Sequence, residues 1–143
     1  MLGGFDERYF MYGEEADLCL RARRHGARPQ ITPAATIVHH GGASERTRVG
    51  KMVKLLAAKA SLIERHWSPA LQPAGQLLLR SWPLTRWLAN AAYAAVSGSP
   101  EASQAAVIWR QIWQVRSQWQ NGYQASGPPT PSRPHLAASA TGG

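Results

Sequence analysis

The sequence predicts an α/β unit that passes into a helical, basic C-terminal region. Three observations carry this reading. A helical segment with its acids first and its bases last is followed by two short β-type runs on either side of Pro33. Apolar residues then recur at helical spacing through 48–66, 75–96 and 101–120. Beyond about Asn121 the chain turns rich in Pro, Ser, Gly and Ala, the composition of a disordered tail.

The elements follow in chain order. Residues 1–13 read as a loop in which Tyr9, Phe10 and Tyr12 are packing material. Residues 14–25 read as a helix, with Asp17 and Arg21 one turn apart on one face and Gly26 as its stop. Strands are expected over Arg28–Thr32 and Ala35–His40. A glycine-serine turn separates them from a helix over 48–66. Pro69 and Pro73 break the chain, and the apolar helix of 75–96 is expected to kink or split at Pro83. In the last helix Ala105, Ile108, Ile112, Val115 and Trp119 fall on one side.

Charge is unevenly spread over the 143 residues, whose net charge is +8. Residues 1–44 balance five Arg against five acids, so residues 45–143 hold the whole excess. Membrane headgroups, lipid pyrophosphates and nucleic acids all suit such a partner on charge alone, and no nucleic-acid-binding motif is present. The single cysteine, Cys19, allows no internal disulfide. The N-terminus MLGGFDER lacks the apolar core of a signal peptide. Leu77 to Val96 is interrupted by Arg80, Pro83, Arg86 and Asn90, which argues against a membrane span. The six Trp accompany Arg65, Arg80, Arg86, Arg110 and Arg116. Two readings stay open for them: indoles at headgroup level on a bilayer, or indoles packed against protein.

The most specific stretch is residues 2–44, LGGFDERYFMYGEEADLCLRARRHGARPQITPAATIVHHGGAS. It resembles the second half of the catalytic domain of family-2 glycosyltransferases of the GT-A fold, above all the rhamnosyltransferase-like group. The pattern shared is Gly-Gly-Phe-Asp-Glu, an aromatic run ending in Met-Tyr, an acidic pair, Asp-Leu-Cys, Arg, Gly, Pro, and His-x-x-Gly-x-Ser. The later helices look like the basic extension of such enzymes. The resemblance implies a GT-A portion over residues 1–48, a basic Trp-rich helical extension over 49–120 and a disordered tail over 121–143. It implies transfer of a sugar with inversion, with rhamnose from a dTDP donor as the expected case, to a cell-surface polysaccharide or lipid-linked acceptor. It places the protein in the cytoplasm, at the inner face of the plasma membrane.

Inverting transfer needs a base for the acceptor hydroxyl, charge stabilisation at the departing diphosphate, and alignment of the two sugars. Glu15, at the second position of the acidic pair, is the candidate base, although the family usually carries Asp there. Glu14 beside it is expected to favour the protonated form by like-charge repulsion. Asp17 is expected to point away from Glu15 and to orient Arg21 or help bind acceptor. Asp6 and Arg21 are candidate acceptor contacts. His39, the first His of His-x-x-Gly-x-Ser, is the candidate ligand of a divalent cation, Mn²⁺ or Mg²⁺. Gly42 and Ser44 are the candidate diphosphate contacts.

Taken outside the pattern, Glu14, Glu15 and Asp17 equally suit ordinary dipole-stabilising acids, and His39 equally suits a strand residue at a turn. Relatives also carry an Asp-x-Asp motif in an N-terminal nucleotide-binding half. The only aspartates here are Asp6 and Asp17, so that motif is absent from this sequence. The expectation is a piece of such an enzyme, inactive alone. The alternative is an accessory protein that uses its basic helices on a membrane surface.

Overall fold

The computed structural model of the chain describes residues 2–38 and 48–123. Among these residues the elements are α1 (Glu14–Arg24), α2 (Arg48–His66), α3 (Gln72–Ser97), α4 (Pro100–Gln114) and a 3-10 turn over Arg116–Gln118. The fold is a helical assembly centred on α2, with an N-terminal loop-and-helix arm docked on one side.

The α/β expectation, and with it the GT-A portion, is corrected here. No strand occurs among the described residues. The run expected as Arg28–Thr32 and the described part of Ala35–His40 lie as exposed coil, with Ile31, Ile37 and Val38 at 101%, 84% and 80% exposure. A strand forms only when its N–H and C=O groups pair with a neighbouring extended segment. The described residues offer no such neighbour, so β-branched composition around Pro33 does not become a sheet.

The helix α1 starts where the backbone turns through two left-handed residues, Tyr12 (φ 69°) and Gly13 (φ 88°). Gly13 is required twice over. Its φ suits glycine, and a Cβ there would sit 3.2 Å from the Ala58 Cβ and from the Tyr9 ring. Asp17 N–H donates to the Gly13 carbonyl at 2.8 Å and closes the first turn.

Helix α2 is the central element. Leu56, Ala57, Ala60 and Ile63 are buried on it, and three alanines (with Ala58) let its neighbours approach closely. Leu79 of α3, Ile112 of α4 and Trp119 complete the core. Helices α3 and α4 form a hairpin through Gly98 and Ser99, whose hydroxyl caps α4 by accepting from Ala102 N–H at 3.2 Å. The expected break at Pro83 does not occur: α3 runs unbroken for 26 residues, with Pro83 inside it. Proline removes one helical N–H donor; here its ring is fully buried in the molecule.

The indoles mostly turn inward. Trp119 is wholly buried and donates from Nε1 to the Ile112 carbonyl at 3.0 Å. Trp82 and Trp109 meet at 6.3 Å between ring centres, and Lys59 Nζ lies 4.8 Å over Trp82. The body continues to Tyr123, whose N–H donates to Ser61 Oγ at 2.7 Å. Gly122 permits this approach, since a Cβ there would lie 2.5 Å from Ser61 Oγ. The rest of the tail expected to be disordered lies outside the described residues.

Trp119→Ala removes the largest fully buried side chain. It is expected to cost about 3–5 kcal/mol, read as a lowered urea midpoint with an unchanged slope.

Candidate functional site

The polar centre of the molecule is Asp17, a carboxylate with no solvent exposure. Arg21 Nε donates to its Oδ2 at 2.6 Å, one helical turn on. Its Oδ1 lies 2.8 Å from His66 Nε2 and 3.0 Å from Arg65 Nε, both at the C-terminal end of α2. An ionised carboxylate only accepts, so His66 carries its proton on Nε2 at this contact. Burial alone would push the Asp17 carboxyl up. The hydrogen bonds from Arg21 and His66, with the charges of Arg65 and Arg21, outweigh it and hold the group below the ordinary aspartate value of 3.8.

The two arginines carry the network outward. Arg21 Nη1 donates to the Leu2 carbonyl at 2.5 Å and Nη2 to the Gly4 carbonyl at 2.8 Å, so it holds the Gly3-Gly4 loop. Arg65 Nη1 pairs with Asp6 Oδ2 at 2.5 Å, while Asp6 Oδ1 accepts from the Arg8 amide at 2.9 Å. Arg24 Nη2 donates to the His66 carbonyl at 3.3 Å and ties the end of α1 to the end of α2. Leu2, Gly3, Gly4, Phe5, Asp6, Arg21 and Arg65 together line a small cleft of about 170 Å³. Asp6 and Arg21, both expected at an acceptor site, therefore share one cleft.

Tyr9 is joined to this cleft through its N–H, which donates to the Asp6 carbonyl at 3.1 Å. Its hydroxyl is buried without a hydrogen-bond partner, and its ring meets Tyr123 edge-on at 6.3 Å. Burial, and next the negative charge of Asp17, push its pKa up to about 12. Tyr9 is therefore neutral throughout the physiological range.

The three acids of α1 end in three different places. Asp17 is sealed in and saturated by donors. Glu15 stands exposed at the surface. Glu14 is half-buried, with Oε2 out of solvent and unpartnered. His39, Gly42 and Ser44 lie outside the described residues. Among the described residues no group of three or more His, Cys, Asp or Glu could hold a metal ion. Asp17 is no exception, since its oxygens are already taken.

Sequence reasoning took Tyr9 as packing material, as its burial bears out, and gave Arg65 and His66 no place in a site. The pairing of Asp17 with His66 spans 49 positions. No local spacing announces it; the only sequence signal was a charged pair at a helix C-terminus.

Asp17→Asn is expected to destabilise the fold by about 3–5 kcal/mol at pH 7, because Arg21 and Arg65 lose their counter-charge and His66 loses its carboxylate partner. The sign with pH follows from the depressed carboxyl. Its contribution is complete above the unfolded-state value of about 4 and is lost as pH falls through the lower folded value. Urea unfolding between pH 7 and pH 2 should show a steep acid limb in the natural protein and a shallower one in the variant. Tyr9→Phe removes a hydroxyl that has no partner. Its thermal midpoint should be equal to or above that of the natural protein.

Short stretches of this chain are similar to known rhamnosyltransferases. One is 40% identical over 50 residues to Rhamnosyltransferase WbbL of Escherichia coli (strain K12), covering 35% of this chain and 19% of that protein. Another is 49% identical over 39 residues to the N-acetylglucosaminyl-diphospho-decaprenol L-rhamnosyltransferase of Mycobacterium tuberculosis (strain ATCC 25618 / H37Rv), covering 27% of this chain and 13% of that protein. The chain thus matches less than a fifth of the length of either relative. No family model and no solved structure matches it. The kinship visible in these stretches is to glycosyltransferases.

Proposed function

We propose that the chain carries the acceptor-side segment of a glycosyltransferase. The reaction moves a sugar, rhamnose by the likeness of the relatives, from a nucleotide-diphosphate donor to a cell-surface polysaccharide or lipid-linked acceptor, with inversion. The observation that carries this reading is the division of labour along α1, in a chain with short likeness to rhamnosyltransferases. Asp17 anchors the helix, and Glu15 of the same first turn is left at the surface.

In this reading Glu15 takes the proton from an acceptor hydroxyl as that oxygen attacks the anomeric carbon. The new C–O bond forms as the bond to the diphosphate breaks, and the diphosphate leaves with the electron pair. Asp6, Arg21 and Arg65, in the cleft beside α1, hold a part of the acceptor remote from the hydroxyl that Glu15 meets, each through hydrogen-bonding capacity its existing partners leave over. Fixing Arg21 and Arg65 on Asp17 lowers the ordering needed when acceptor arrives. A divalent cation belongs to the reading only through His39 and would neutralise charge on the leaving group. The described residues do not make an ion site, and no step here is routed through one.

The test is a transplant. The matched stretch of the Escherichia coli relative is replaced by the corresponding stretch of this chain, and rhamnosyl transfer is assayed. Transfer should survive the exchange and fall by about 10²–10⁴ in the Glu15→Gln version, with donor binding unchanged. An inactive but folded transplant, or a Glu15→Gln version with full activity, overturns the proposal.

A further inference from the structure

Helix α3 has a face that the core does not use. Its 26 residues span about 39 Å. It contains no Asp or Glu, and its only charged residues are Arg80 and Arg86. Leu77, Leu78, Leu88 and Val96 are 69%, 67%, 54% and 91% exposed. At one helical step per residue these four, with Ala92, fall within an arc of about 100°, which also holds Ser81 and Thr85, whose hydroxyls donate to the Leu78 and Trp82 carbonyls of the same helix. Arg80 and Arg86 stand at either side of that arc, and Tyr93 stands beside Arg86 at 63% exposure. The opposite face, through Leu79 and Pro83, is buried in the molecule.

We propose that this face of α3 lies in the plane of an anionic lipid bilayer. Aliphatic side chains enter the acyl boundary, while Arg80 and Arg86 reach sideways to lipid phosphates. The helix cannot instead cross the membrane, because no helix among the described residues is long and apolar enough to do so. Charge complementarity selects the bilayer over a second copy of the chain. The protein carries +8, and two α3 faces brought together would oppose arginine to arginine with no acid on either helix to pair them. The contact surface is aliphatic rather than indole-based. Trp119, Trp82, Trp109 and Trp113 are engaged with the core, Trp87 lies outside the arc under Arg110, and the exposed Trp67 precedes α3, so Leu77, Leu78, Leu88 and Val96 supply the insertion. The proposal goes beyond sugar transfer and does not depend on it.

The experiment is co-sedimentation of the full chain with two kinds of vesicle, one of phosphatidylglycerol and phosphatidylcholine, the other of phosphatidylcholine alone. Binding should require phosphatidylglycerol and weaken as salt rises. Leu78→Gln with Leu88→Gln keeps charge and helix propensity but removes apolar area, and should weaken binding about tenfold or more. Val107→Gln alters a similarly exposed residue on α4 (54% exposed) and should bind as the natural protein does. Circular dichroism checks that each variant is folded. The proposal is overturned by absence of vesicle binding at low salt, or by a folded Leu78→Gln, Leu88→Gln variant that binds normally. It is equally overturned by an equal loss in Val107→Gln, or by a lipid-free dimer in sedimentation velocity that the double variant dissociates.

Discussion

One buried carboxylate holds the N-terminal arm to the rest of the molecule. Asp17 sits on α1, yet two of its three partners, Arg65 and His66, come from the far end of α2. A charge taken out of water demands compensation from several directions at once. Here that demand fixes the rotation of α1, the end of α2 and, through Arg21, the Leu2–Gly4 loop. The small cleft is a product of this arrangement: Leu2, Gly4, Asp6, Arg21 and Arg65 of its lining are already bound into the Asp17 network.

The helices were legible in the sequence because each carries its own periodic signal. The segment over 48–66 begins and ends where its spacing says, and Ile112 falls on the buried side; the last helix, expected to run to Gln120, ends at Gln114, and Trp119 is buried from beyond it. Pro83 was misleading. Its local preference for a break is overridden by complete burial against the core, which the local sequence does not encode. The strands expected over Arg28–Thr32 and Ala35–His40, the second as far as residue 38 is described, failed for the opposite reason. Their composition was right, but a strand depends on a partner, and a partner is a property of the whole chain.

The candidate site divides the same way. Asp17 with Arg21 was readable from their spacing along a helix. Arg65, His66 and Tyr9 were not, because their relation to Asp17 is made by tertiary packing. The fold also separates two chemistries. Polar groups gather around α1 and the end of α2, whereas the aliphatic face of α3 carries two arginines and no acid.

Tyr123 bears on how the chain is made. Its hydroxyl donates to the Met11 carbonyl at 2.5 Å, across 112 positions, and lies 3.1 Å from the Lys54 carbonyl. On the ribosome, the segment around Met11 emerges long before its latch does. Closing so wide a loop comes late in assembly, after the local helices have formed. The segment around Met11 is therefore among the last to settle. Trimming the chain just ahead of Tyr123 would unfasten the segment around Met11.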